Sequence, residues 1–244
     1  MTSIEAMPDP GAVLPALGVV IPARNEERRL ARCLRALSIA EKHLRATHPT
    51  APPVVIAVVL DSCTDGSRAI VDKWPSVEVL TGDFGNVGAA RAAGVAHLLG
   101  RSSGSPVPDW IACTDADSTV PADWLLQHLF HALADTDLLL GVVRPDPTEI
   151  SAALLRRWQH EYRSANGHSH VHGANMGVRA SAYRRAGGFP PLAEHEDVAL
   201  VHRIRAFGGL VVSAALTPVL TSARTHGRTP GGMAGYLSAL VEQG

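Results

Sequence analysis

The 244 residues, 46% hydrophobic and 18% charged, suffice for one large α/β domain with a sizeable core. A formal net charge of -1 excludes a generally basic protein and, with it, nucleic acid as the expected partner. Cys33, Cys63 and Cys113 stand far apart with no CxxC spacing, so neither a disulfide framework nor a structural zinc site is indicated, and a reducing cytoplasm is expected.

In chain order, residues 1–16 read as a loose tail without the basic-then-apolar pattern of a secretory leader. "LGVVI" (17–21) is a short buried strand ended by Pro22, and residues 26–45 repeat Leu30, Cys33, Leu34 and Leu37 at helical spacing. After the breaker cluster "THPTAPP", "VVIAVVL" (54–60) is a continuous β-branched run, as in a strand covered on both faces. A short helix (67–74), a strand (77–80) and a glycine-led Ala/Leu helix (85–99) follow. "WIACT" (110–114) is a fourth strand, "PADWLLQHLFHAL" a helix with proline in its first turn, and "DLLLGVV" (137–143) a fifth strand. The second half is less regular. An arginine-rich amphipathic helix is expected over 148–165, a loop entering a strand at "HGANMGVR", a helix over 196–209, a β-like run over 210–220, and a short final helix. The longest apolar run, "GLVVSAALTPVL", contains Pro218 and is shorter than the ~18 residues of a membrane span.

Strand and helix alternate through the first half, which implies a mostly parallel sheet with helices on both faces. Ligands of such sheets sit beyond the carboxyl ends of the strands. Three polar sets fall there: the stretch from Ala23 to Glu26, then Asp61, then Asp115 and Asp117. Asp115 and Asp117 stand at i and i+2, which in extended backbone share a side. They are either a solvated strand end or a pair that holds a cation. His168, His170 and His172 also alternate; metal ligation, an acceptor or phosphate contact, and plain surface loop all remain open for them. Only Lys42 and Lys73 are lysine, so positive charge is delivered mainly by arginine, which suits bidentate phosphate contacts.

Six segments occur in the order and spacing of family 2 inverting glycosyltransferases: "VVIPARNEE", "VVLDSCTDGS", "GNVGAARAAG", "TDADSTVPADWL", "GANMGVRASAYRRAGGF" and "HEDVALVHRIRAFG". The resemblance covers about residues 17–230 and implies the GT-A fold. That fold has a mostly parallel nucleotide-binding sheet flanked by helices (about 17–143) and an irregular acceptor-binding half (about 144–244). Its implied activity is transfer of a sugar, with inversion, from a nucleoside-diphosphate sugar to an acceptor hydroxyl.

By the same resemblance, Pro22, Arg24, Asn25, Glu26, Gly88 and Arg91 lie on the nucleotide side. Asp61 matches the uracil contact, which tilts the donor towards UDP, although Leu60 replaces the first acid of that motif. Asp115 and Asp117 match a DxD motif holding Mn²⁺ or Mg²⁺, with Asp117 the direct ligand and Asp115 on the ribose or the ion's water shell. Gly173, Asn175 and Glu196 fall in the acceptor-side motifs, and Asp197 of "HED" is placed as the catalytic base. Arg224 and Arg228, in "TSARTHGRTPGG", suit a loop closing on the diphosphate, with His226 a further candidate ligand. The polar-loop and helix-capping alternatives for these residues stay open. So do two other functions, a sugar-phosphate nucleotidyltransferase and a non-catalytic carbohydrate-binding relative. A lipid-linked acceptor would bring the chain to the inner membrane surface.

Overall fold

A computed structural model describes residues 13–102, 106–162, 165–225, 227 and 231–242. Most of the expected tail, with His226 and Arg228, lies outside these residues. A seven-stranded sheet runs through the described chain in the order β3-β2-β1-β4-β6-β5-β7. Its strands are β1 (Leu17–Ala23), β2 (Val55–Asp61), β3 (Val77–Gly82), β4 (Trp110–Cys113), β5 (Leu138–Pro145), β6 (Met176–Arg179) and β7 (Val211–Thr221). All neighbouring pairs are parallel except those of β6, which runs against both β4 and β5.

Alternation along each strand assigns the two faces. Val19 and Ile21 of β1 and Ile56, Val58 and Leu60 of β2 meet helices α1 (Leu30–Thr47) and α4 (Trp124–Leu133). Val20, Val55, Ala57 and Val59 meet α3 (Val87–Leu99) on the opposite face, where α6 (Ala180–Arg185) and α7 (Glu196–Ala206) complete the layer. Helix α1 buries Leu30, Leu34, Leu37 and Leu44, each worth about 1.5–3 kcal/mol of transfer free energy. A short helix α2 (Ser67–Val71) follows β2, and α5 (Ala152–Glu161) packs with α8 (Met233–Glu242) around Trp158 and Leu237 beyond β5.

Several boundaries differ from the sequence expectations, each for a local reason. Strand β1 continues through Pro22 to Ala23. Thr114 N–H donates to the Val20 carbonyl on the β4 side, and β4 ends at Cys113, so the missing N–H of Pro22 falls where no partner strand remains. Helix α1 starts at Leu30 rather than 26: the Glu26 carbonyl closes a turn by accepting the Arg29 and Leu30 N–H groups (3.0 and 2.9 Å), but Arg29 departs from helical backbone (φ -119°). Helix α5 is shorter than the expected 148–165. Asp146 takes the Thr148 N–H (2.9 Å) in a turn, and Ser151 caps the helix through Leu154 N–H (3.2 Å). Helix α6, six residues long, carries no periodic signal of its own and was not expected from sequence.

Candidate functional site

The end of β2 and the loops after β1, β3 and β4 open with the start of α7 onto one cleft of about 770 Å³ at the carboxyl edge of the parallel strands. Among the described residues, three non-glycine positions have left-handed backbones, and each lines or adjoins this cleft: Asn25 (φ 54°), Ser62 (φ 49°) and His195 (φ 63°). Such conformations persist only where the surroundings enforce them, and they gather at functional sites.

The loops after β1 and β2 are lashed together. Asn25 Oδ1 accepts from Thr64 N–H (2.7 Å), Glu26 N–H donates to Ser67 Oγ (2.9 Å) and Glu27 N–H donates to Asp65 (2.9 Å). Asp65, which also accepts from Ser67 N–H, supports the start of α2. Asp61 therefore does not cap that helix. Its Oδ1 accepts from the Phe84 and Gly85 amides (2.8 and 3.1 Å), and its Oδ2 faces Arg24 at 3.9 Å.

Two ion networks follow. Arg91 on α3, 3% exposed, pairs with Glu196, also 3% exposed, and with Asp115 (2.5 Å). Arg224 bridges Glu26 (2.9 Å) and Asp117 (2.8 Å). Asp115 and Asp117 both line the cleft, but not through extended backbone. Ser118 N–H donates to the Asp115 carbonyl at 3.0 Å, so the chain turns between them. Burial, then the charge of Asp115, push Asp117 up to about 6 against the pull of Arg224. Asp117 is thus a buried carboxylate whose ionised form the guanidinium only partly supports.

These residues fit a divalent ion. Carboxylate oxygens suit Mg²⁺ or Mn²⁺, and a cation already bridges Asp117 and Glu26. Among the described residues, no three His, Cys, Asp or Glu side chains form a ready-made cage. Two carboxylates completed by phosphate oxygens and water are the usual way such an ion meets a nucleotide.

Asp197, at the start of α7, accepts Val198 N–H on Oδ1 (2.7 Å) and Gly173 N–H on Oδ2 (2.7 Å). Gly173 is confined by Arg91, since a Cβ there would stand 2.2 Å from Arg91 Nη1. Pro22, Arg24, Glu26, Asp61, Arg91, Asp115, Asp117, Gly173, Glu196, Asp197 and Arg224 thus all border the one cleft.

Two expected substrate contacts sit elsewhere in the packing. Asn175 is 1% exposed, and its amide is spent on the Val142 and Thr217 carbonyls (2.8 and 2.9 Å) and the Trp124 indole N–H (2.9 Å). Gly88 lets α3 approach the 190–192 segment, where a Cβ would meet the Pro190 carbonyl at 2.1 Å. Asn25 fixes loop to loop, as above.

The three histidines do not converge on a point. His168, His170 and Tyr162 stack in series, with centroids 5.4 and 4.1 Å apart, and His172 lies 5.9 Å from His170. Sequence reasoning overlooked Tyr162, Tyr236 and Thr221, which also line the cleft. Thr221 ends β7 and was recoverable from the strand-end rule. The tyrosines carried no motif.

Comparison with known proteins agrees with this architecture. No curated protein matches the chain. Among solved structures, TarS residues 1–349 of S. aureus in complex with UDP aligns with TM-score 0.62 at 15% identity, covering 85% of this chain and 61% of that one. The mannosyltransferase PcManGT from Pyrobaculum calidifontis, in complex with GDP-Man and Mn²⁺, aligns with TM-score 0.63 at 19% identity, covering 92% and 61%. Glucosyl-3-phosphoglycerate synthase from Mycobacterium tuberculosis, in complex with Mn²⁺, UDP and phosphoglyceric acid, aligns with TM-score 0.56 at 14% identity, covering 94% and 78%. The chain thus spans about 61% of the length of the first two. At these identities the likeness concerns the fold, which is GT-A. The profile of the family described as glycosyl transferase family 2 matches residues 18–186, more than half of the sequence, and the chain belongs to that family.

Proposed function

We propose that the protein is an inverting glycosyltransferase that moves a sugar from a nucleoside-diphosphate donor, UDP-linked by preference, to an acceptor hydroxyl. One observation carries this reading: Asp61, Asp115, Asp117 and Asp197, from three separate segments, open onto the same cleft. The nucleotide half is the region to about residue 143, with the acceptor half beyond it. Asp61 Oδ2, not engaged by the Phe84 and Gly85 amides, is the acceptor for a base imide N–H.

Asp117 and Asp115 would hold Mn²⁺ or Mg²⁺, whose charge offsets that of the diphosphate leaving group. Arg224 adds positive charge at the same place. Asp197 takes the acceptor hydroxyl proton as that oxygen bonds to the anomeric carbon and the bond to the diphosphate oxygen breaks. Each Asp197 oxygen accepts one backbone N–H, so the carboxylate is aimed and keeps lone pairs for the incoming hydroxyl. Free thiols at all three cysteines suit a reducing compartment, and among the described residues no helix is long and apolar enough to cross a membrane.

Thermal shift with UDP- and GDP-sugars, with and without Mn²⁺, tests the donor site. Metal-dependent stabilisation by a UDP-sugar is expected, and it disappears in Asp117→Ala. Asp197→Asn retains that stabilisation while transfer falls by about 10²–10⁴-fold. Transfer at the parent rate in Asp197→Asn removes the base assignment, and release of pyrophosphate instead of nucleoside diphosphate removes the reaction class.

A further inference from the structure

The stacked rings remain unassigned by the donor chemistry, yet they stand beside the base. Gly173, whose N–H holds Asp197, directly follows His172. Tyr162 Oη and His172 Nε2 share a hydrogen bond of 2.8 Å, and Tyr162, His170 and His172 line the cleft. An acceptor whose hydroxyl reaches Asp197 must lay its other atoms against the residues adjoining Asp197. This wall is there.

The wall has a definite chemistry. Trp158 and Tyr162 stack at 4.5 Å and 20°, Tyr162 and His170 at 4.1 Å and 13°, and His168 and His170 at 5.4 Å and 30°. Both faces of Tyr162 are therefore covered by other rings. What such a stack offers to a ligand is ring edges, each with a hydroxyl or an imidazole nitrogen. A neutral imidazole has one donor and one acceptor nitrogen, the complement of an alcohol, which is both.

Charge narrows the choice. Burial, reinforced by the neighbouring histidines, pushes His172 down to about 4, and burial also lowers His168, so these rings are neutral at pH 7. Tyr236, which also lines the cleft, donates through Oη to the Glu161 carboxylate (3.4 Å), and the charge of Arg144 acts on Tyr162. The guanidiniums of Arg91 and Arg224 are committed to Glu196 and Asp115, and to Glu26 and Asp117. Arg205, on α7, is the cleft's remaining described arginine away from the nucleotide end.

We infer that Tyr162, His170 and His172 form the acceptor subsite, and that it receives an uncharged polyhydroxylated ring, a sugar or a cyclitol, through hydrogen bonds to the ring edges. This rests on the cleft being the donor-acceptor site proposed above. An anionic acceptor would instead use Arg205, and an alkyl alcohol would lay hydrocarbon against polar ring edges.

The test measures nucleoside diphosphate release from the donor that gives the metal-dependent thermal shift. The probes are myo-inositol and methyl β-glucoside, glucose 6-phosphate, and dodecanol in micelles. Release is expected to rise with the two neutral rings. His170→Ala is expected to raise KM for the responsive ring by about tenfold, the loss of one neutral hydrogen bond. Tyr162→Phe, which keeps the stack but not the hydroxyl, is expected to raise it less. UDP binding with Mg²⁺, measured by calorimetry, is expected to stay at the parent value in both variants. A parent enzyme that binds nucleotide but responds only to the phosphorylated sugar, only to dodecanol, or to no probe overturns the inference. So does a parent KM in both variants. Absence of metal-dependent nucleotide binding in the parent strikes instead at the donor reading.

Discussion

Arg91 ties three of the cleft's acidic residues to one another. It is buried with Glu196, bonds Asp115, and stands against Gly173, which in turn aims Asp197. Arg91→Met strands the Glu196 carboxylate without a counter-ion, and a loss of about 3–5 kcal/mol is expected in urea unfolding. The double variant Arg91→Met, Glu196→Leu is expected to recover most of that stability, since a well-packed apolar pair replaces a buried ion pair at little cost, while donor binding stays lost. A single variant as stable as the parent would show that the pair is solvated. Arg224 is the opposite case, a third exposed and on a loop. It occupies Asp117 Oδ2 as a metal ion would, so Arg224→Gln is expected to bind Mn²⁺ more tightly by calorimetry without nucleotide, and to transfer sugar more slowly. Weaker Mn²⁺ binding in that variant would mean that Arg224 organises the carboxylates rather than competing for them. The acidic residues were legible because strand ends in a parallel sheet face one edge. Asn175 was not, because the segment that carries it also plugs the interior, and only coordinates separate an amide facing the cleft from one bonded to Val142 and Thr217.

At the scale of elements, continuous apolar runs made the order of strands and helices readable, and the two-residue period settled which side chains face which helices. Direction was harder to read. Strand β6 has four residues, and nothing in "MGVR" says that it runs against its neighbours. The start of α1 was missed because Glu26 and Glu27 are held by the next loop, through Ser67 and Asp65, contacts that no local pattern announces. Helix α3 shows how packing overrides propensity. Alanine is a better helix former than glycine by about 1 kcal/mol. At Gly94, however, a Cβ would sit 2.6 Å from Val20 and 2.9 Å from Val59, two buried side chains of the sheet. Gly94→Ala is therefore expected to lower stability by about 1–3 kcal/mol, the usual cost of overpacking, less the propensity gain. A higher unfolding midpoint would mean that α3 can withdraw from the sheet freely.

Across the whole molecule, the two halves differ in legibility because they are held differently. The first half is a repeated strand-helix unit, whereas the second converges on the sheet through single buried polar groups that no periodicity announces. The first half holds one such group too, His128. It is 1% exposed, accepts the Trp110 indole N–H on Nδ1 (3.0 Å), packs edge-on to Trp124, and leaves no room for a Cβ at Gly177. Burial pushes its pKa down to about 3. The unfolded chain, with an ordinary histidine near 6.5, binds this proton where the folded chain does not. The contribution is thus complete above pH 6.5 and is lost progressively as the pH falls towards 3. His131, His168 and His172 are lowered by burial and act in the same sense. Asp117 acts in the opposite one, because its raised pKa makes folding easier as the pH falls through about 6. The balance predicts a parent protein that loses stability between pH 7.5 and 5.5 in urea titrations. His128→Gln, which keeps an acceptor for the Trp110 N–H but cannot titrate, is expected to be less stable at pH 7.5. Its pH dependence should be shallower by up to about one proton, or about 1.4 kcal/mol per pH unit. Identical slopes in the two proteins would mean that His128 is protonated in the fold, and that the Trp110 indole N–H does not donate to it.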